Sequence, residues 1–202
     1  MKKVYITGTD TGIGKTYFSG LLCAYLADQG YNVAYVKPVQ TGYPADDDAR
    51  TVREMSGLIE DNCKVLHTAV APVAPYIAFD NFPYDETVEA INKIDGFDWL
   101  IVEGAGGIMV PLSDEHMNYD LVKDCGLNVL TVVPNRLGCI NHSLLTKHFC
   151  ETSGIDFAGF AMNNHFISSA FDRFNISMLN DLTAHSVRFV FSNDLEYTDV
   201  NW

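Results

Sequence analysis

A loop rich in glycine and threonine, Gly8 to Thr16, constrains this chain more than any other segment. A short β-branched run, residues 4–7, precedes the loop, and apolar side chains follow it at helical spacing from Lys15 to Gln29. The backbone amides of such a loop, together with the amino end of the following helix, attract a phosphate. The segment therefore predicts a strand, a phosphate-binding loop and a helix in an α/β protein.

The end of this loop, Gly14-Lys15-Thr16, indicates which side chains meet the phosphates. Lys15 is predicted to contact the outer phosphates of a nucleotide, and the Thr16 hydroxyl is predicted to bind magnesium. The strict phosphate-loop spacing requires a glycine at position 9, but Thr9 stands there and Gly8 comes one residue early. A tight glycine turn with a surface lysine is the alternative interpretation.

The same order of short strand and helix recurs along the chain. The predicted strands are residues 4–7, 32–37, 99–102, 128–133 and 156–162. The predicted helices are residues 15–29, 85–93, 118–125 and 141–150. Near-continuous apolar strands that alternate with helices predict a mostly parallel sheet with helices on both faces. Since no linker-like or repetitive tract interrupts this pattern, residues 1–202 are predicted to form one domain with a P-loop NTPase-like fold.

Polar residues stand where the predicted strands end. Lys37 ends the second strand before Pro38, Glu103 follows the apolar run 99–102, and Asn163 follows the run 156–162. Ligands bind outside the carboxyl ends of parallel strands, so these side chains are expected to share one site with the phosphate loop. A lysine buried there needs an anion, although its ammonium can instead reach the rim. Glu103 either completes a magnesium shell or caps a glycine turn.

Three consecutive acids, Asp46, Asp47 and Asp48, follow the second strand and precede a helical pattern. Magnesium takes one or two carboxylates in addition to phosphate oxygens and water. One of the three is therefore a candidate ligand, and the loop alone does not choose among them. Further along, Asn141 stands in a turn before a predicted helix, where it is either a binding residue or the helix N-cap.

Charge and cysteine content exclude several classes of function. The chain has 26 acidic residues against 13 lysines and arginines, a formal charge of −13, which disfavours nucleic acid and anionic membranes as partners. Five cysteines without a C-x-x-C pair predict free thiols in a reducing cytoplasm. The apolar run after the two amino-terminal lysines is too short for a signal peptide. A cytoplasmic enzyme acting on small molecules is the expectation.

Four segments together resemble the dethiobiotin synthetase family. They are the loop from Gly8 to Thr16, Tyr35-Val36-Lys37-Pro38-Val39 with Thr41-Gly42, Val102-Glu103-Gly104-Ala105-Gly106-Gly107, and Leu137-Gly138-Cys139-Ile140-Asn141-His142. Their order and spacing match the family, the longer phosphate loop included, and the resemblance extends to about Asn163. It implies a ligase of biotin synthesis that uses ATP and magnesium to close a ureido ring. The substrates would be 7,8-diaminononanoate (7,8-diaminopelargonate) and CO2 or bicarbonate.

The resemblance also implies a role for individual residues. Lys37, Lys15 and Thr11 would be the catalytic residues, and Thr16, Asp48 and Glu103 would bind magnesium. Thr41 would contact the diamine, and Gly138, Cys139, Ile140 and Asn141 would reach the substrate of the partner in a homodimer. The nucleotide would meet Gly12, Ile13, Gly14, Lys15, Thr16, Tyr17, Asp48, Glu103, Gly104, Ala105, Gly106 and Asn163.

The chain departs from the family's pattern at three places. Gly12 stands where family members often carry glutamate, and Asn135-Arg136 replaces the more usual Gly/Val-Lys type of sequence before Leu137-Gly138, although Arg136 keeps a charge. Residues 191–195 lack the proline that the family commonly has in the loop near the base. The alternatives to the ligase are a partitioning-type ATPase switch, an inactive nucleotide-binding relative and the synthetase part of a cobyrinate-type amidotransferase. Asp10 argues against the switch, which carries a second lysine at that position, and 202 residues leave no room for a glutaminase domain.

Overall fold

The computed structural model describes residues 1–200 and contains one eight-stranded sheet. The strands are β1 (Lys2–Gly8), β2 (Val33–Thr41), β3 (Cys63–Ala69), β4 (Trp99–Gly107), β5 (Asn128–Pro134), β6 (Phe157–Asn163), β7 (Val187–Phe191) and β8 (Leu195–Thr198). Their order in the sheet is β3-β2-β4-β1-β5-β6-β7-β8. Neighbouring strands are parallel throughout, except that β8 pairs with β7 in the antiparallel direction. The predicted mostly parallel sheet is confirmed.

Within residues 1–200, seven α-helices connect the strands. They are α1 (Lys15–Asp28), α2 (Asp48–Ser56), α3 (Pro75–Ala78), α4 (Tyr84–Asn92), α5 (Asn118–Asp124), α6 (Cys139–Thr152) and α7 (Phe174–Leu182). Short 3₁₀ turns lie at Glu60–Asn62, Asn164–Phe166 and Ala170–Arg173. Within residues 1–200, no helix is both long enough and apolar enough to cross a membrane.

Apolar side chains cover the sheet on both faces. On one face α1 and α2 pack through Phe18, Leu22 and Val52 against strand residues such as Ile6. On the other face α4, α5, α6 and α7 cover the sheet in two further clusters. Because successive strand residues point to opposite faces, the near-continuous apolar runs of β1, β4 and β5 supply both cores at once. The prediction of helices on both faces is confirmed.

The second strand is longer than predicted. β2 continues through Pro38 to Thr41, so the expectation that this proline ends the strand was wrong. The pairing of β2 with β4 ends at Val36, and beyond that point β2 pairs only with β3. A proline is tolerated where one side of a strand no longer needs its amide hydrogen. The extension carries Thr41 to the edge of the cleft that Lys37 also lines.

Candidate functional site

A cleft of about 750 Å³ opens at the carboxyl ends of β1, β2 and β4. The phosphate loop forms one wall, β2 and the start of α2 form the second, and residues 72–75 form the third. The predicted site residues that line it are Thr11, Gly12, Gly14, Lys15, Thr16, Tyr17, Lys37, Thr41, Asp48, Glu103, Ala105 and Gly106. The topology thus brings together side chains that are far apart in the sequence.

Glu103 lies at the centre of this cleft and is completely buried. Its Oε1 accepts hydrogen bonds from the Thr16 hydroxyl at 2.8 Å and from the Lys37 ammonium at 2.8 Å. Lys37 Nζ also lies 2.5 Å from Asp48 Oδ2. Lys37 therefore connects the two carboxylates that the resemblance assigns to magnesium.

The second oxygen of Glu103 has partners that the sequence analysis did not select. Oε2 accepts a hydrogen bond from Ser19 Oγ at 2.8 Å and another from Tyr35 OH at 2.9 Å. Two signals in the sequence point to them. Ser19 is a polar residue three positions after Thr16 on the buried face of α1, and Tyr35 precedes Lys37 by two positions on the same face of β2.

The charged groups in the cleft shift one another's pKa values. Burial by itself lowers the pKa of Lys37, but the carboxylates of Glu103 and Asp48 outweigh this effect and raise it. Burial raises the pKa of Glu103, whereas Lys37 and further hydrogen bonds lower it below the ordinary value. Burial lowers the pKa of Lys15 despite the attraction of Glu103. Lys37 and Glu103 are therefore held as a charged pair.

The oxygen atoms at this point suit magnesium. Thr16 Oγ1 and Glu103 Oε1 lie 2.8 Å apart, and Lys37 Nζ touches both Glu103 Oε1 and Asp48 Oδ2, so the three oxygens converge on one small region. Magnesium prefers such hard oxygen ligands and completes its shell with phosphate and water. Among residues 1–200, no group of three or more His, Cys, Asp and Glu side chains is arranged to hold a metal ion.

The structure gives each of the three consecutive acids a different environment. Asp47 is the N-cap of α2 and accepts a hydrogen bond from the Arg50 amide at 3.0 Å. Asp46 lines the cleft beside Gly42. Asp48 is the one that contacts Lys37, and its backbone amide donates to the Gln40 side chain at 3.2 Å. This geometry favours Asp48 as the ligand among the three.

The phosphate loop adopts conformations that favour glycine. Gly12 and Gly14 both have positive φ angles, 68° and 93°. Gly14 is also the N-cap of α1, and an added Cβ there would come within 2.7 Å of Asn163 Nδ2. Lys15 Nζ lies 3.3 Å from the Asp10 carbonyl, which places the ammonium across the loop. The local sequence therefore builds a backbone cradle with a cation at its edge, as an anion site requires.

Asn163 supports the phosphate loop through hydrogen bonds and is not among the residues that line the cleft. Its Nδ2 donates to the Ile13 carbonyl at 3.0 Å, and its Oδ1 accepts from the His165 amide at 3.0 Å. Tyr17 makes a comparable link to the carboxyl-terminal segment, since its hydroxyl donates to the Asn193 carbonyl at 2.6 Å. These two residues of the predicted nucleotide set thus connect the loop to β6 and to the β7–β8 turn.

The glycine run after Glu103 serves close packing as well as the cleft. An added Cβ at Gly104 would lie 2.1 Å from the hydroxyl oxygen of Tyr5, a completely buried residue on the opposite face of the sheet from Glu103. Ala105 and Gly106 continue to the cleft wall. Gly104 is therefore fixed by the core beneath it, a constraint that the sequence pattern did not reveal.

The segment Gly138 to Asn141 lies outside this cleft, at the start of α6. Gly138 is the N-cap of that helix, so the interpretation of Asn141 as the N-cap was wrong. Cys139 is buried in the core with Val133, and Ile140 packs at the edge of the same core. Asn141 and the neighbouring Leu137 are exposed. Within one chain, these residues do not meet Lys37.

Known proteins resemble this chain over most of its length. A family model described as an AAA domain matches residues 2–187. The ATP-dependent dethiobiotin synthetase BioD of Methanocaldococcus jannaschii is 40% identical over 79% of this chain and 78% of its own. The corresponding protein of Clostridium perfringens, strain ATCC 13124, is 33% identical over 90% of this chain and 86% of its own.

Solved structures of low identity share the fold. The cell division protein MinD of Aquifex aeolicus superposes with a TM-score of 0.58 at 13% identity, covering 96% of this chain and 83% of that protein. A ParA family ATPase from Chlorobium tepidum gives 0.58 at 12% identity, with 96% and 84% covered. Chloroplast FtsY from Physcomitrella patens also gives 0.58, at 19% identity, and the chain spans 62% of its length. With a P-loop NTPase fold and relatives matched over most of its length, this chain belongs to the dethiobiotin synthetase family.

Proposed function

We propose that this protein makes dethiobiotin by closing a ureido ring on 7,8-diaminononanoate with CO2, ATP and magnesium. One observation carries the proposal: Thr16 and Lys37, the latter paired with Asp48, meet at Glu103 beside the phosphate loop of a chain in this family. The cleft volume of about 750 Å³ falls within the range of small-molecule sites. Both the nucleotide and a diamine would use it.

The proposed reaction has three steps. One amine of the substrate captures CO2 and loses a proton, which gives a carbamate. A carbamate oxygen then bonds to the terminal phosphorus of ATP as ADP leaves, giving a carbamic-phosphoric anhydride. The second amine attacks the carbonyl carbon, the bond from that carbon to the phosphate oxygen breaks, and a proton is lost as the ring closes.

The side chains of the cleft suit a reaction that gathers anions. Positioning and neutralisation of charge dominate phosphoryl transfer, so preformed cations at the reacting oxygens are the main requirement. Lys37 would face the carbamate, and Lys15 and Thr11 would hold the phosphates. Thr16, Asp48 and Glu103 would hold magnesium, which would draw charge from the phosphate oxygens. Gly12 to Tyr17, Gly104 to Gly106 and Asn163 would surround the nucleotide, with Asn163 at the adenine.

The diamine would lie between two chains. Thr41 borders the cleft from β2, whereas Gly138 and Asn141 are exposed away from it, on either side of the buried Cys139. We propose a homodimer in which the segment from Gly138 to Asn141 comes from the partner and forms a wall of the substrate site. The five thiols are free and buried, which supports a cytoplasmic location.

The experiment that tests this function follows phosphate release from magnesium-ATP and bicarbonate, with and without 7,8-diaminononanoate. Release that requires the diamine, accompanied by dethiobiotin in the mass spectrum, is the expected result. Release that ignores the diamine, with no product, would favour an ATPase switch. If the protein binds nucleotide but releases no phosphate, the chain is an inactive relative, and the proposal fails.

A further inference from the structure

We propose that Tyr35 and Ser19 are positioning residues that hold the Glu103 carboxylate in one orientation for magnesium. The inference rests on the magnesium site of the proposed function and adds two residues that neither the family resemblance nor the cleft lining identifies. Both hydroxyls act on the same oxygen, Oε2, at 2.9 Å and 2.8 Å. Neither side chain is in the set that lines the cleft.

The two oxygens of Glu103 face different environments. Oε2 is directed at two hydroxyls of the core, and the tyrosine, the serine and the glutamate are all 0% exposed. Oε1 is directed at the cleft, where Thr16 and Lys37 contact it. The carboxylate therefore has one oxygen anchored in the core and one oxygen that meets the cleft residues Thr16 and Lys37.

Such anchoring has a physical consequence. The terminal torsion of a glutamate is soft, so an unsupported carboxylate rotates easily and exchanges its oxygens. Magnesium requires nearly ideal octahedral geometry and gains from an oxygen whose direction is fixed in advance. Residues in the shell outside metal ligands typically change metal affinity 10- to 100-fold when they are replaced. Tyr35 and Ser19 have the bonds that such a role needs.

The position of the two donors on separate elements supports the assignment. Ser19 comes from α1, the helix that also carries Thr16, while Tyr35 comes from β2, the strand that also carries Lys37. Both elements that supply a partner to Oε1 thus also supply a partner to Oε2. A shift of either element relative to Glu103 would disturb both oxygens together.

The test measures binding of Mn²⁺, as a spectroscopic substitute for magnesium, by electron paramagnetic resonance with a non-hydrolysable ATP analogue present. Tyr35→Phe and Ser19→Ala are each expected to weaken Mn²⁺ binding about 10-fold. Affinity for the analogue without metal should stay within twofold of the wild type. Weakened metal binding with unchanged metal-free nucleotide binding separates a positioning role from general loosening of the fold.

Tyr5→Phe is a matched control. Tyr5 is also completely buried in a central strand, but its hydroxyl has no hydrogen-bond partner among residues 1–200 and it faces the opposite side of the sheet. Loss of the Tyr5 hydroxyl should leave the Mn²⁺ affinity unchanged. The proposal is overturned if Tyr35→Phe and Ser19→Ala bind Mn²⁺ as the control does. It is also overturned if they lose metal-free nucleotide binding to the same extent as metal binding.

A second arm tests whether the two hydroxyls act through Glu103. In a Glu103→Gln background, Tyr35→Phe should weaken Mn²⁺ binding by less than twofold, since residue 103 then has no carboxylate for the tyrosine hydroxyl to orient. An undiminished effect in that background would contradict the inference. If Tyr35→Phe does not fold, Ser19→Ala carries the same test through the same oxygen. Because no diamine is present, these results stand whether or not the protein makes dethiobiotin.

Discussion

The ammonium nitrogen of Lys37 lies 2.8 Å from Glu103 Oε1, the same oxygen that accepts the Thr16 hydroxyl. With Asp48 Oδ2 at 2.5 Å, the lysine bridges the two carboxylates assigned to magnesium. Lysine and metal would therefore share these oxygens. If the carboxylates bound the metal, their ion pairs with the Lys37 ammonium would weaken, and Lys37 would be free to turn towards the carbamate.

Replacement of Lys37 by methionine tests this sharing. The substitution leaves two carboxylates without their cation, and loss of one partner from a buried pair typically costs about 3–5 kcal/mol. We expect the variant to have a lower melting temperature than the wild type in EDTA. Adding Mg²⁺ should raise the melting temperature of the variant more than that of the wild type. Lys64→Met, at an exposed position on β3, is the control. Equal recovery in the variant and the wild type would show that lysine and metal do not compete.

Two glycines of the phosphate loop should respond differently to alanine. Both Gly12 and Gly14 have positive φ angles, but an added Cβ at Gly12 meets nothing within 4 Å, whereas at Gly14 it would come within 2.7 Å of Asn163 Nδ2. We expect Gly14→Ala to weaken ATP binding by at least about tenfold and Gly12→Ala to have a clearly smaller effect, since it adds only backbone strain. Isothermal titration calorimetry with an ATP analogue measures the affinity of each variant. A similar loss of ATP affinity in both variants would mean that the contact with Asn163 does not determine the conformation of the phosphate loop.

The cysteines should react slowly in the folded protein. Burial raises the pKa of Cys63 to about 11, of Cys125 to about 11 and of Cys150 to about 12. Since the thiolate is the reactive form, roughly one thiol in a thousand or fewer is ionised at pH 8 in these three. We expect slow labelling by a thiol reagent until denaturant is added, when all five react. One rapidly labelled thiol in the native protein would contradict the burial described above.

Asp172 should make stability depend on pH. Its Oδ2 accepts the Ser168 and Ser169 amides, each at 2.9 Å, and these bonds lower the pKa of its carboxyl. The stabilisation is therefore complete above the ordinary aspartate pKa and is lost as pH falls through the lowered value. Asp172→Asn should lower the melting temperature by a few degrees at pH 7, and by less below pH 4. Asp181→Asn, at an exposed position in α7, should show neither effect. If the difference in melting temperature between Asp172→Asn and the wild type did not change with pH, the Asp172 carboxylate would be excluded as the cause.

The parallel core of the fold could be predicted from local patterns. β1, β5 and α1 were predicted to within two residues of their observed ends, because a buried apolar strand and an amphipathic helix leave clear periodicities. β3, β7 and β8 are missing from the predicted strands. β3 is only partly buried, with the burial of an edge strand, and β8 has four residues, so neither carries a sustained apolar run. Pro38 was misjudged because its tolerance depends on where β4 stops pairing.

The residues of the cleft were easier to predict than their partners. Lys37 and Glu103 stood out because a charge at the end of an apolar strand needs an explanation. Ser19 and Tyr35 did not, since a serine in a helix and a tyrosine in a strand are ordinary in isolation. Their role depends on the pairing of β2 with β4 and on the packing of α1, which only the tertiary structure supplies.

The most direct test of the proposed reaction supplies ¹³C-labelled bicarbonate with magnesium-ATP and 7,8-diaminononanoate. Dethiobiotin one mass unit heavier than the unlabelled product should form in step with phosphate release, and Lys37→Met should abolish both. Phosphate released without labelled dethiobiotin would contradict the claim that this cleft closes a ureido ring.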